Sequence, residues 1–303
     1  MKNIYKIILL LFALAISAVI TSCGDNELVS SEAEYNPKIV IEAMIYPGQS
    51  VSSIYISRNY PLNQDLDINE LYLMDAQATI TDLENSASFA LVPNYREHSF
   101  EYANADLQIG YGKSYRLDVT AIVDGKTLKA SSVTTTPKKG FEIIEEESLA
   151  GTMKYREKNE SGEVKQFQIA FMPTEGASFY AFSIIPETPE IGNFIFDNPY
   201  FDIDTADLAD DFLSYSQQYN WIMNLNTSSV YKYDLSWLDL WFYGPYRIIV
   251  YAGDRNYHHF IATYGNVQEM DGNFHEPKFY IDGDGIGYFG SAITDTIRVE
   301  VAR

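Results

Sequence analysis

Apolar and polar residues alternate with a period of two along most of this chain, beginning at Lys38. Lys38 to Tyr46 is the first such run, followed after Pro47-Gly48 by Val51 to Ser57, where Ile54 and Ile56 share one face and Val51, Ser53, Tyr55 and Ser57 the other. Further runs follow at Ala76 to Asp82, Ser88 to Val92, Ser114 to Val123 and Thr127 to Thr134, and Asp124-Gly125 is the turn dipeptide of a tight hairpin. About seven short strands within roughly one hundred residues predict an immunoglobulin-like β-sandwich over residues 38–137. Thr135 to Gly140, with Pro137 at its centre, breaks the alternation and marks a boundary.

The second half, residues 141–303, predicts another β-sandwich. Its strands are expected at Phe141 to Glu147, Gln166 to Met172, Ser178 to Ile185, Arg247 to Ala252 and Ile297 to Val301. Two stretches switch to helical spacing. One starts at Asp204 or Thr205 and places Leu208, Phe212, Tyr215 and Tyr219 on a stripe; the other is capped by Asp254, carries Tyr257, Ile261 and Tyr264, and stops at Gly265-Asn266. The fold class expected is therefore all-β, two immunoglobulin-like or fibronectin-like sandwiches, with a helical and aromatic-rich insertion at about 186–246. Within that insertion, Phe212 to Tyr246 holds all three tryptophans, Trp221, Trp237 and Trp241, among eleven aromatics in 35 residues. Flat rings with a polar edge suit a partner surface or a sugar ring, so Trp221, Trp237, Trp241 and Tyr243 are the candidate ligand-binding residues; filling the second core is the alternative use of the same side chains.

The first twenty-two residues follow a different pattern. Lys2 and Lys6 precede an uncharged run of fourteen residues, Ile7 to Ile20, and Thr21-Ser22 lead to Cys23, the single cysteine. At about 1.5 Å of helical rise per residue such a run falls short of a roughly 30 Å hydrocarbon core, which predicts a cleaved leader over 1–22 and not a spanning helix. A small-residue exit ending on cysteine is the pattern of a lipoprotein signal, in which the thiol carries the lipid as a thioether. Cys23 is accordingly the expected lipidation site. Residues 23–37, with Asp25, Glu27, Glu32 and Glu34, read as an acidic tether, and several acyl chains at about 0.8 kcal/mol per buried CH₂ hold such a protein on a membrane.

Composition then removes several function classes. The net charge is −21, and loss of Lys2 and Lys6 with the leader leaves 19 basic against 42 acidic residues, a net of −23. That surface repels phosphate backbones, so no nucleic-acid partner is expected. No G-x-S-x-G turn exists for a serine nucleophile. His258 and His259 are adjacent, about 100° apart on a helix, and so do not form the i, i+4 pair of a zinc site. Asp282-Gly-Asp284-Gly invites calcium, but Ile293 stands where a bidentate Glu would close an EF-hand loop; a tight turn with glycines at positive φ, letting Tyr288 and Phe289 pack, is the expectation. No catalytic residue, metal site or cofactor is assigned.

Four features together point to one family: the lipoprotein leader, the opening Ile39-Val40-Ile41-Glu42-Ala43, the segment Gly112-Lys113-Ser114-Tyr115-Arg116-Leu117, and the glycine-rich Ile281 to Gly290. Together they resemble the Bacteroidota lipoproteins of domain-of-unknown-function family 4249. That resemblance implies a lipid-anchored protein of the outer membrane or cell surface, often encoded near TonB-dependent receptors, with no known catalytic residues; Asp25 and Glu27 look like the surface-export signal of such bacteria. The function expected is a non-catalytic binding or accessory module that serves a TonB-dependent outer-membrane receptor or captures a glycan. The alternatives are a fimbrial or adhesin subunit, with Thr296 to Val301 as a donated strand, and a glycan hydrolase using paired carboxylates.

Overall fold

The computed structural model describes residues 35–61, 67–149, 151–196, 212–223, 229–264 and 279–303. The leader, Cys23, nearly all of the tether, and the stretch from Asp204 to Asp211 expected to open a helix lie outside the described residues. Alternation becomes strands in the order β1 (Ile39–Ile45), β2 (Tyr55–Arg58), β3 (Gln77–Asp82), β4 (Ser88–Ala90), β5 (Val92–Asn94), β6 (Ser99–Glu101), β7 (Ser114–Val123) and β8 (Lys126–Thr135). They are followed by β9 (Glu142–Ile143), β10 (Gly151–Lys154), β11 (Phe167–Met172), β12 (Phe179–Pro186), β13 (Gln218–Met223), β14 (Tyr231–Leu235), β15 (Gly244–Gly253), β16 (Asp282–Gly283) and β17 (Gly285–Ala302). Among the described residues lie two α-helices, the short α1 (Ile68–Leu71) and α2 (Arg255–Tyr264).

One seven-stranded sheet dominates. Its order is β13-β12-β15-β17-β1-β2, with β10 also on β17, while β16-β8-β7-β3-β4 and β14-β11-β9 form two smaller sheets and β5-β6 a hairpin. The buried apolar residues fall into two clusters. The first gathers Ile39, Ile41, Ile54, Ile56, Phe100, Leu117 and Phe289; the second gathers Phe167, Phe171, Phe182, Trp241, Ile248, Ile297 and Val301. The first draws on residues up to Ala130 and the second on residues from Phe141 onward, except at the last strand. The eighteen residues of β17 pair in parallel with β1 over Gly285 to Ser291 and antiparallel with β15 over Ala292 to Val301. Phe289 therefore enters the first core and Ile293, Ile297, Val299 and Val301 the second. Pro37–Tyr60 and Asp65–Arg303 make one compact unit in consequence.

Three expectations are corrected. The stretch Asp282 to Gly290 is more than a turn: Gly283 and Gly287 do take positive φ, at 84° and 101°, yet Gly285 onward is strand. A strand over Phe141 to Glu147 shrinks to β9, because Glu145 to Glu147, three adjacent exposed carboxylates, leave the sheet as a 3₁₀ turn. Of the helical stripe ending at Tyr219, the described part is a 3₁₀ turn at Phe212–Tyr215, and Tyr219 sits on β13, where pairing with β12 outweighs local spacing. The stretch 186–246 also supplies β13 and β14 and buries Trp237, Leu240, Trp241 and Phe242, so much of it is sheet and core.

Candidate functional site

The seven-stranded sheet has one face on the two cores, and strand alternation fixes which side chains point the other way. In β1 the buried Ile39, Ile41, Ala43 and Ile45 alternate with Val40, Glu42 and Met44. In β12 and β15 the second core takes Tyr180, Phe182, Ile184, Tyr246, Ile248 and Val250, which turns Ala181 and Tyr251 to the back. Register then builds a row across strands: Trp221 on β13 lies beside Ala181, and Ala181 beside Tyr251. The small residue lies between two large rings.

Helix α2 closes over this back face. Asp254 caps it, its Oδ1 accepting from the Tyr257 backbone N–H at 3.1 Å and its Oδ2 from Thr134 Oγ1 at 2.6 Å. Asn256 Nδ2 donates to the Val133 and Phe289 carbonyls at 2.7 and 2.9 Å, tying the first turn to both β8 and β17. Gly290 lets the helix come close, since a Cβ there would stand 2.9 Å from the Tyr257 Cβ and 3.0 Å from the Met44 sulfur. Tyr257 and Ile261, one turn apart, then face the sheet. Between helix and sheet lies a cleft of about 450 Å³, lined by Met44 and Tyr46, Ala181, Tyr219 to Trp221, Tyr251, Tyr257 and Ile261, and Tyr288. That volume is in the range of small-molecule sites, roughly 300–1,000 Å³.

Six aromatic rings line the cleft, and no Lys, Arg, Asp or Glu does. Burial raises the hydroxyls of Tyr46, Tyr251, Tyr257 and Tyr288 above the ordinary phenol value; neighbouring tyrosines add to it, as does Glu42 at Tyr288, while Arg247 offsets part of it at Tyr251. These four hydroxyls stay neutral. None of the five hydroxyls, Tyr46, Tyr219, Tyr251, Tyr257 or Tyr288, has a hydrogen-bond partner among the described residues. Each can donate and accept toward a ligand. Tyr219 and Trp221, 66% and 43% exposed, leave the mouth open.

His258 stands at the rim, stacked on Phe179 at 5.5 Å and 5.7 Å from Trp221. Burial, then its neighbour His259, lowers its pKa. A base depressed in the folded state costs stability as pH falls below its unfolded value of about 6.5, because the unfolded chain protonates first. The denaturation midpoint is therefore expected to fall as pH drops from 7 toward 5, with a shallower fall in His258→Phe, which keeps the stack; equal slopes in a urea series would contradict it.

Of the residues singled out from the sequence, Trp221 is at the cleft. Trp237 and Trp241 are buried in the second core, Trp237 donating its indole N–H to the Lys165 carbonyl at 2.7 Å and Trp241 packing against Tyr215. Tyr243 is half-buried against the same core, with Arg303 over its ring at 5.2 Å. Asp284 is held in backbone pairing, its carboxylate accepting from the Lys129 N–H at 3.2 Å. Among the described residues no three His, Cys, Asp or Glu side chains come together as a metal site. Tyr46, just after β1, and the tyrosines of β15 and β17 were missed; the available signal was Tyr219-x-Trp221-x-Met223, apolar at alternate positions on an edge strand.

Strands that lay one face over two cores and hold an aromatic cleft on the other define a β-rich protein built around a single long closing strand. The family model for a domain of unknown function, DUF4249, matches residues 25–298, and the chain belongs to that family. No curated protein matches it.

Proposed function

We propose that this chain is a non-catalytic binding module anchored by lipid on Cys23 to the outer membrane or cell surface, and that the tyrosine cleft holds its ligand for delivery to a TonB-dependent receptor. The observation that supports this reading most is the cleft itself, six rings gathered from positions as distant as Tyr46 and Tyr288, with five hydroxyls that have no partner among the described residues. Its lining offers no carboxylate pair and no nucleophile beside a base, which favours binding over hydrolysis. Among the described residues no helix is long and apolar enough to cross a membrane, so attachment rests on the anchor. The two cores, each closed between the large sheet and a smaller one, are read as immunoglobulin-like sandwiches fused through β17. A donated strand is less well supported, because Val299 to Val301 are already paired on both edges, with β15 and with β10.

The anchor has a direct test. Cys23→Ala expressed in a native-type envelope is expected to lose fatty-acid labelling and to leave the membrane fraction; unchanged fractionation and labelling would remove the anchor from the account.

A further inference from the structure

We infer that the cleft takes a short, neutral oligosaccharide, an inference that rests on the cleft being the ligand site. Three observations carry it. First, five tyrosines line the cleft, Tyr46, Tyr219, Tyr251, Tyr257 and Tyr288, and their hydroxyls, not engaged among the described residues, are each able to donate and accept toward a ligand. A sugar presents hydroxyls of the same dual kind in several directions. Second, Trp221 lies at the open side with Ala181 beside it, so a flat ring face can lie against the indole over a floor kept low by a methyl group. Third, charge decides against acidic sugars: among the described residues no cation lines the cleft, the Arg247 that acts on Tyr251 is countered by the Glu42 that acts on Tyr288, and the chain carries −21. An organic cation would suit the ring faces. A quaternary ammonium, however, has no hydrogen-bonding group and would leave all five hydroxyls without ligand partners.

The test is a glycan array printed with neutral and with uronic- or sialic-acid-containing oligosaccharides, probed with the full-length acylated protein in detergent, alongside a calorimetric titration with choline. Neutral spots are expected to bind, to dim about tenfold with Trp221→Ala, and to dim less with Tyr257→Phe, which keeps the ring and removes one hydroxyl. Trp221 is partly exposed, so its loss leaves the cores intact. Preference for acidic glycans, neutral binding indifferent to both substitutions, or an array with no bound spot would overturn the assignment. Choline binding sensitive to Trp221→Ala, with no neutral glycan bound, would overturn the sugar while keeping the cleft as a ligand site.

Discussion

Gly287→Ala is expected to cost about 3–5 kcal/mol, a large part of the roughly 5–15 kcal/mol that holds a protein folded. Gly287 has φ of 101°, a conformation that L side chains rarely adopt, and a Cβ there would stand 2.1 Å from the Ile41 carbonyl oxygen. The clash falls in the parallel β1–β17 ladder, where Ile41 and Gly287 are direct partners. Relief by shifting the strand would move Phe289 out of the first core and Tyr288 out of the cleft, so fold and site are expected to fail together. Gly290→Ala makes the informative contrast: its Cβ meets no backbone atom but the Asp254 carboxylate and the Met44 sulfur at 3.0 Å, which can give, and the Tyr257 Cβ at 2.9 Å, which yields only if helix α2 shifts slightly off the sheet. About 1–2 kcal/mol is expected there, with the cleft reshaped more than the fold. Urea denaturation of the two variants checks the order, and equal midpoints would contradict it.

Asp254→Ala is expected to cost about 2–4 kcal/mol. It removes the cap of α2, worth about 1 kcal/mol, and takes the closer acceptor from the Thr134 hydroxyl, 1% exposed, leaving it only Ser291 Oγ at 3.0 Å. Asp254→Asn keeps a capping oxygen and is expected to cost far less. The two variants should also differ from wild type in their pH dependence. Burial raises the Asp254 carboxyl above its unfolded value, so its favourable contribution is complete below about pH 4 and is lost as pH rises through the folded value. The Asn variant has no such loss, and its stability should approach or exceed that of the parent as pH rises toward neutrality. A constant difference between Asp254→Asn and wild type from pH 4 to pH 7 would count against this account of the cap.

What could be read in the sequence was local. Ser114 to Val123 and its partner strand are fixed by Asp124 and Gly125, both at positive φ, and the observed bounds of β7 are those the alternation predicts. Helix α2 was visible because Asp254 and the spacing of Tyr257 and Ile261 lie within ten residues of one another. The cleft was not visible, because Met44, Trp221 and Tyr288 meet only through the parallel pairing of β1 with β17, a contact across about 245 positions that no window of sequence contains. The tryptophans show the limit of composition. Trp221, Trp237 and Trp241 sit in the same aromatic-rich stretch, yet a half-exposed edge strand sets the first at the cleft, while the 3₁₀ turn at Trp237–Asp239 helps fold the other two into the core.

The most direct test of the central claim, that the cleft on the back of the large sheet is the ligand site, is to fill it. Wild-type protein and Ala181→Trp, matched for far-UV circular dichroism and urea midpoint, are incubated with an extract of the growth medium and washed, and the small molecules released on denaturation are compared by mass spectrometry. Tyr257→Ala, which opens the opposite wall, serves as the second variant. A set of molecules enriched on the wild type and missing from both variants is the predicted result. The same molecules released in equal amount from all three would contradict it.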